Sequence, residues 1–424
     1  MTIILIGIGL IALALFGTPL FIILGSIALL SFHSQGISTM AVIVEMYRIA
    51  NAPTLLAIPL FTFAGYLLAE SNSPKRLVNL ANALFGWMPG GLAIVSLVTC
   101  AFFTAFTGAS GVTIVALGGL LYPILRKDGY PENFSLGLLT SSGSLGLLFP
   151  PSLPIILYGL VAKISIDQLF LAGIIPGFIL IILLSIFSAR RGITAQVPRT
   201  SFNLPNLLKA TKEAIWEIPL PLIIVGGIYM GIFTATEAAA VTAFYVLVIE
   251  VFIYRDLHLF KDVPKIMKES MLLVGGILVI LGTAMGLTNY LIDEQIPMQI
   301  LDFMKTYITS KVVFLIMLNI FLLIVGCLMD VFSAIIVVVP LIVPIAKEFG
   351  IDPIHLGVIF LTNLEIGYST PPVGLNLFIS SFRFNKPVVK LYTAALPFLL
   401  ILVIALLIIT YVPDLSLWLV RLFG

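Results

Sequence analysis

The sequence predicts an all-α polytopic membrane protein: an inverted repeat whose two copies each hold five transmembrane helices and one re-entrant hairpin. Three observations lead there. The chain is 60% hydrophobic and only 10% charged, with mean hydropathy +1.18, whereas a soluble domain carries about a quarter charged residues. It holds apolar material for about ten crossings of roughly 20 residues each, plus shorter pieces. A shift of 221 residues lays Pro150-Pro151 on Pro371-Pro372, Gly146 on Gly367, Gly129 on Gly350, and "IIPGFILIIL" on "ALPFLLILVI".

Taken in order, the apolar segment 3–16 has neither a basic leader nor a small-residue cleavage site, and reads as a retained helix rather than a signal peptide. Helices follow near 18–32 and 54–69. "SPKRLVNLANALFG" is too polar to span and belongs along the interface. Residues 88–125 admit two readings: two spans, or a hairpin that turns at "TGASG" inside the bilayer, which is tolerated only against protein or a wet cavity. Segments 134–163 and 168–190 complete the first copy. The longest hydrophilic run, "RRGITAQVPRTSFNLPNLLKATKE", is the hinge. The expected units are therefore a first repeat 1–190, a cytoplasmic linker 191–214 and a second repeat 215–424.

In the second copy a shift of 223 brings the interfacial segment onto "TNYLIDEQIPMQILDFMKTY" through Pro74 and Pro297. Either reading of 88–125 leaves an odd number of crossings per copy, so the second copy runs upside down. The positive-inside rule tests this independently. With both termini outside, only Arg48, Lys163, Lys305, Lys311, Lys347 and Arg421 of the 22 basic residues fall outside. The outer loops carry Asp167, Asp293, Glu294, Asp302, Glu348, Asp352 and Asp414 instead.

The two Pro pairs mark interrupted helices. A break in lipid leaves backbone groups unpaired at several kcal/mol each unless something binds them. Half-helix N-termini present positive dipole ends to an anion, while freed carbonyls and side-chain oxygens suit desolvated Na⁺. Candidate Na⁺ ligands are Gly108, Ser110, Ser141, Ser142 and Gly143 in the first copy, and Gly326, Thr362, Asn363, Gly367 and Thr370 in the second. Candidate substrate contacts are Ser144, Asp330, Pro150 and Pro371. For a lone Ser or Thr the competing role is helix packing or bonding to its own helix. Charged groups in apolar segments cost about 2.5–3.5 kcal/mol each on insertion scales. Asp330 and Glu365 therefore point to a binding or site-stabilising role, Glu237 in "TATEAAA" to a helix cap, and Glu250 to structure.

Other chemistry finds little support. There is no Walker A motif and no HExxH; His33, His258 and His355 are scattered, and none falls near Ser110 on this topology. Cys100 and Cys327 lie alone in separate apolar segments, against disulfide or thiolate-metal roles. No catalytic residue and no cofactor beyond the coupling ion is expected.

"GIFTATEAAAVTAFYVLVI", with "TGASG", "FPPSLPIILYG" and "MPGGLAIV", resembles the large membrane subunit of tripartite ATP-independent periplasmic (TRAP) transporters. Ala235 stands where that family commonly has Pro, and "GASGVTIVALG" departs from its acidic "SAVADAA" type of sequence after the hairpin tip. The resemblance covers essentially the whole chain. It implies the ion-transporter fold: a scaffold with interfacial arm helices, and an elevator domain with two hairpins and two unwound helices. It also implies Na⁺-driven import of an organic acid, such as a C4-dicarboxylate or sialic acid, across a bacterial inner membrane. The expected partners are a periplasmic substrate-binding protein and a small four-helix membrane subunit made as a separate polypeptide; no nucleic acid is involved. Two alternatives stand beside it: a stand-alone Na⁺/dicarboxylate symporter of the same fold, and an ion channel or scaffold subunit.

Overall fold

The computed structural model describes residue 13 and residues 18–197, 201–308 and 310–423; apart from Leu13, the predicted helix 3–16 lies outside them. The described chain is all helical. Among the described residues, seven helices are long and apolar enough to cross a membrane: 53–70, 166–194, 235–253, 262–293, 311–328, 331–348 and 388–411. The bent pair 132–148 and 153–162 makes an eighth if it is one span. Interruptions cut Gly91–Thr107 and Pro353–Gly367 to 17 and 15 residues, short of a full span.

The same order of elements occurs in each half of the chain. An amphipathic helix (Ser73–Phe85, later Ile296–Tyr307) leads into a helical hairpin with legs 91–107 and 110–127, later 311–328 and 331–348. A broken helix follows, 132–142 with 153–162 and later 353–367 with 375–384, and then a long apolar helix, 166–194 and later 388–411. The halves interlock rather than stand apart. Helix 153–162 packs on the leg 331–348 of the later hairpin, 375–384 packs on the earlier one, and 132–142 lies along 388–411. The polar run after residue 190 is partly helical, with Leu204–Glu213 lying on helix 73–85. Helix Met40–Ala50, which carries Glu45 and Arg48 in an apolar stretch, had no counterpart in the sequence expectations.

The first hairpin turns inside protein. Its apex residue Thr107 is fully buried. Helix 57–70 comes so close that a β-carbon on Gly65 would sit 2.7 Å from the Thr107 α-carbon. Gly108 takes a positive φ of 63°, and its own β-carbon would meet the Leu153 side chain at 2.6 Å, so the turn needs glycine on two counts.

A compact ion cluster ties helix 73–85 to the helices around 217–256. Arg76 pairs with Glu217, with Glu250 at 3.0 Å and with Asp256 at 2.6 Å, while the Tyr254 ring stacks 3.7 Å from its guanidinium carbon. Asn72 adds backbone and side-chain donors to Asp256 at 3.0 and 2.9 Å. Burial works against the Arg76 charge, but the surrounding carboxylates outweigh it and raise its pKa. Burial likewise pushes Asp256 up, and the hydrogen bonds from Asn72 and Arg76 bring it below the ordinary range. Thr234 and Glu237 form a reciprocal capping box at the start of helix 235–248.

Candidate functional site

Both hairpin apices and both helix breaks, the first through Leu147, meet at a cavity of about 730 Å³. One wall is Gly108–Val112 and Val115–Ala116 of the first hairpin; another is Asp330–Phe332 of the second, with Tyr368, Leu375 and Ile379 around the later break. The opposite wall is Tyr66, Ala69 and Glu70 from the last turn of helix 57–70, with Leu273 of helix 262–293. Among the described residues, no Lys or Arg lines it.

The two hairpin tips differ in how their helix starts are satisfied. At the second, Asp330 caps its own helix: one oxygen accepts from the Phe332 and Ser333 N–H groups at 3.0 Å, and the other from the Ser333 hydroxyl. The Tyr368 hydroxyl accepts from the Val331 N–H. At the first tip no side chain caps the helix that begins at Ser110, so the free N–H groups of Ser110, Gly111 and Val112 stand at the cavity wall.

Directly behind the first tip lies a knot of buried oxygens. Thr104 Oγ1 lies 2.7 Å from Thr113 Oγ1 and 2.7 Å from the Gly143 carbonyl oxygen, linking both hairpin legs to the start of the first break. Gly143 leaves no room there, as a β-carbon would strike Ile114 at 2.5 Å. Neighbouring Ser141 is fully buried with an unpartnered hydroxyl, and the Ser142 hydroxyl donates to the Leu139 carbonyl at 3.4 Å.

The second break has a comparable set. Asn363 donates to Asn319 Oδ1 at 2.7 Å and to the Ile359 carbonyl at 2.8 Å, leaving its own Oδ1 buried without a partner. Asn319 in turn donates to Thr410 Oγ1 at 3.2 Å. Glu365 is fully buried and neither carboxyl oxygen has a partner. Gly326 and Gly367 let the hairpin leg and the broken helix touch backbone to backbone, since a β-carbon on Gly367 would lie 2.6 Å from the Gly326 carbonyl carbon.

The breaks are joined by a polar chain. The Ser144 hydroxyl donates to the Glu365 carbonyl at 3.2 Å, between residues 221 apart in sequence, the same offset that separates the two Pro pairs. Asn376 reaches the Ser144 hydroxyl and the Thr140 carbonyl, both at 3.4 Å, and Thr140 donates to Ser380 at 2.9 Å.

Of the residues singled out from sequence, Gly108, Ser110 and Asp330 line the cavity. Ser141, Ser142 and Gly143 gather at the first oxygen knot, while Asn363 belongs to the second. Gly326 and Gly367 form the backbone contact. Thr362 and Thr370 are bonded to carbonyls of their own helix, Val358 at 2.7 Å and Ile366 at 2.9 Å. Ser144 lies between the breaks, and Pro150 and Pro371 lie outside the cavity lining. Thr104, Thr113, Asn319, Tyr368 and Asn376 were not anticipated. The only hint for the first two was Thr104 and Thr113 flanking "TGASG" within helical reach of the tip.

Comparison with known proteins decides the family. The description "Tripartite ATP-independent periplasmic transporter, DctM component" matches residues 7–415. The chain belongs to this family. Among relatives of this DctM-family chain, the C4-dicarboxylate TRAP transporter large permease protein DctM of Pseudomonas aeruginosa is 39% identical over 396 residues, 93% of this chain and 92% of its own length. The isethionate TRAP transporter permease protein DctMQ of Oleidesulfovibrio alaskensis is 35% identical over 95% of this chain, but the match covers 64% of that protein. The ectoine/5-hydroxyectoine TRAP transporter large permease protein UehC of Ruegeria pomeroyi is 32% identical over 96% of each. The fold is similar to that of the Alcanivorax borkumensis YdaH transporter, whose crystal structure aligns with a TM-score of 0.65 at 15% identity, over 90% of this chain and 87% of that one. The chain is thus a polytopic transporter component and not an enzyme.

Proposed function

We propose that this chain is the large permease subunit through which a Na⁺ gradient drives import of a small organic acid, in a bacterial inner membrane with both termini periplasmic. The observation that carries the reading is the cavity between the two hairpin tips, backed by buried oxygens with unused valence. Thr104, Thr113 and the Gly143 carbonyl behind one tip, and Asn363 Oδ1 at the other break, are hard neutral donors of the kind Na⁺ takes. Of the buried oxygens here, Asn363 Oδ1 and Ser141 Oγ have no partner; buried acceptors without partners are rare in native proteins, and a desolvated cation supplies what these two lack. Ser141 and Ser142 extend the first set, with Gly108, Ser110, Gly326 and Gly367 around the two, while Thr362 and Thr370 spend their hydroxyl protons on their own helix.

Among the described residues the cavity wall holds no cationic side chain, so an anionic substrate is met by the uncapped helix start at Ser110–Val112 and by the bound Na⁺. Asp330 has already claimed the second helix start, which leaves one anion position and makes binding one-sided. Relatives named for a C4-dicarboxylate support a carboxylate substrate. Because hairpins and breaks form one wall and helices 57–70 and 262–293 the other, sliding of the first group past the second exposes the cavity to each side in turn, as an elevator does. A small membrane subunit and a periplasmic binding protein complete the assembly; the larger size of the DctMQ relative supports the first of these.

Proteoliposomes test this. The chain with both partners is expected to accumulate a C4-dicarboxylate only when Na⁺ is higher outside. Accumulation by the chain alone would favour the stand-alone symporter, and dissipation of the Na⁺ gradient without substrate would favour a channel.

A further inference from the structure

A second cavity, of about 300 Å³, lies between the amphipathic helix 73–85 and the helix 204–213, apart from the site above. Its walls are polar in an otherwise greasy chain. Asn79 and Asn82 come from one helix; Asn203, Asn206, Lys209 and Glu213 come from the start and body of the other. Spacings of three and four residues put each set on one helix face. None of these six side chains is hydrogen-bonded or ion-paired to another described residue, and Lys209 and Glu213, one turn apart and opposite in charge, do not pair with each other. Trp87 and Phe202 also line it, with 49% and 55% of their surface exposed.

We propose that this cavity binds one phospholipid whose headgroup carries both a phosphate and a primary ammonium. Lys209 meets the phosphate, Glu213 meets the ammonium, and the asparagine amides take the remaining phosphate and glycerol oxygens. The acyl chains leave past Trp87 and Phe202, aromatic residues being the usual occupants of the level between headgroup and chain. A free inorganic phosphate fits poorly, because one lysine stands against it together with a carboxylate of like charge. A zwitterion uses both. The position has a structural consequence: helix 73–85 is held at its start by the Arg76 ion cluster, and the Glu213 carbonyl accepts from Tyr254 of that cluster at 2.7 Å. A lipid here braces the same junction from its other side.

The test is native mass spectrometry of the full chain, purified with its membrane partners and exchanged into mixed micelles of phosphatidylethanolamine, phosphatidylglycerol or phosphatidylcholine with equal acyl chains. One retained ethanolamine lipid is expected, at roughly fivefold preference over the other two, the discrimination one half-exposed ion pair supplies. Glu213→Gln should abolish the preference while keeping retention. Lys209→Ala should lose retention of all three, and Lys265→Ala, an exposed control on helix 262–293, should change nothing. Both cavity variants alter exposed side chains, and a monodisperse elution profile checks their folding. Equal retention of the three lipids by the unaltered chain, an unchanged preference in Glu213→Gln, or displacement of the lipid by millimolar inorganic phosphate would overturn the proposal.

Discussion

Thr104 illustrates how much of the site depends on contacts far apart in the chain. Its hydroxyl is shared between Thr113, nine residues on, and the Gly143 carbonyl, 39 residues on, so nothing in the local pattern separates it from a threonine bonding its own helix. Thr362 is the reverse: its position beside a break suggested a ligand, yet its hydroxyl donates to Val358. These two define a discriminating experiment. Thr104→Val and Asn363→Ala are each expected to raise the Na⁺ concentration for half-maximal uptake by roughly 5- to 150-fold, the equivalent of about 1–3 kcal/mol for one lost buried polar contact. Ser142→Ala should raise it less, and Thr362→Val should leave it nearly unchanged. Equal effects of Thr362→Val and Thr104→Val would mean the oxygen knot is packing and not a site.

At the scale of elements, the interruptions were legible because glycine, proline and small polar residues have few other reasons to sit in apolar segments. "TGASG" and the two Pro pairs mark a turn and two breaks that the structure places around one cavity. The Thr234–Glu237 cap was legible for the same reason, its spacing being its mechanism. The Arg76 cluster was not, since its acids lie 141 to 180 residues away. That junction carries a prediction. Glu217 and Glu250 are fully buried, so Arg76→Ala leaves uncompensated charge and should cost about 3–5 kcal/mol, read as a fall in the melting temperature of the purified chain. Arg76→Lys should recover little, because a single ammonium cannot address three carboxylates as the guanidinium fork does. The pH dependence follows from Asp256, whose folded pKa is lowered. Its contribution is present above the ordinary Asp value of about 3.9 and is lost as pH falls through the lower folded value. Asp256→Asn should therefore destabilise at pH 6 and converge with the unaltered chain well below pH 4.

For the whole molecule, the internal shift of 221 residues is also the separation of the partners in the Ser144–Glu365 hydrogen bond, which joins the two halves. The proposed inversion of those halves predicts opposite exposure of their loops. Single cysteines at Lys75, Lys386 and Asp293, in a Cys100→Ser, Cys327→Ser background, should react from outside with an impermeant thiol reagent only at 293; labelling of 75 in intact spheroplasts would contradict the orientation. The apolar surface of the outer helices, by contrast, was not readable from sequence. Residues such as Phe244 and Leu222, each 70% exposed, look alike whether lipid or a partner subunit covers them.

The central claim is that paired helix interruptions hold Na⁺, and it is tested most directly without substrate or partners. The purified chain is melted in matched NaCl and choline chloride solutions. Na⁺ binding to the folded state predicts a higher melting temperature in NaCl, rising with concentration and reaching about 2.7 kcal/mol of added stability at a hundredfold excess over the dissociation constant. Identical melting curves in the two salts across the full concentration range would contradict it.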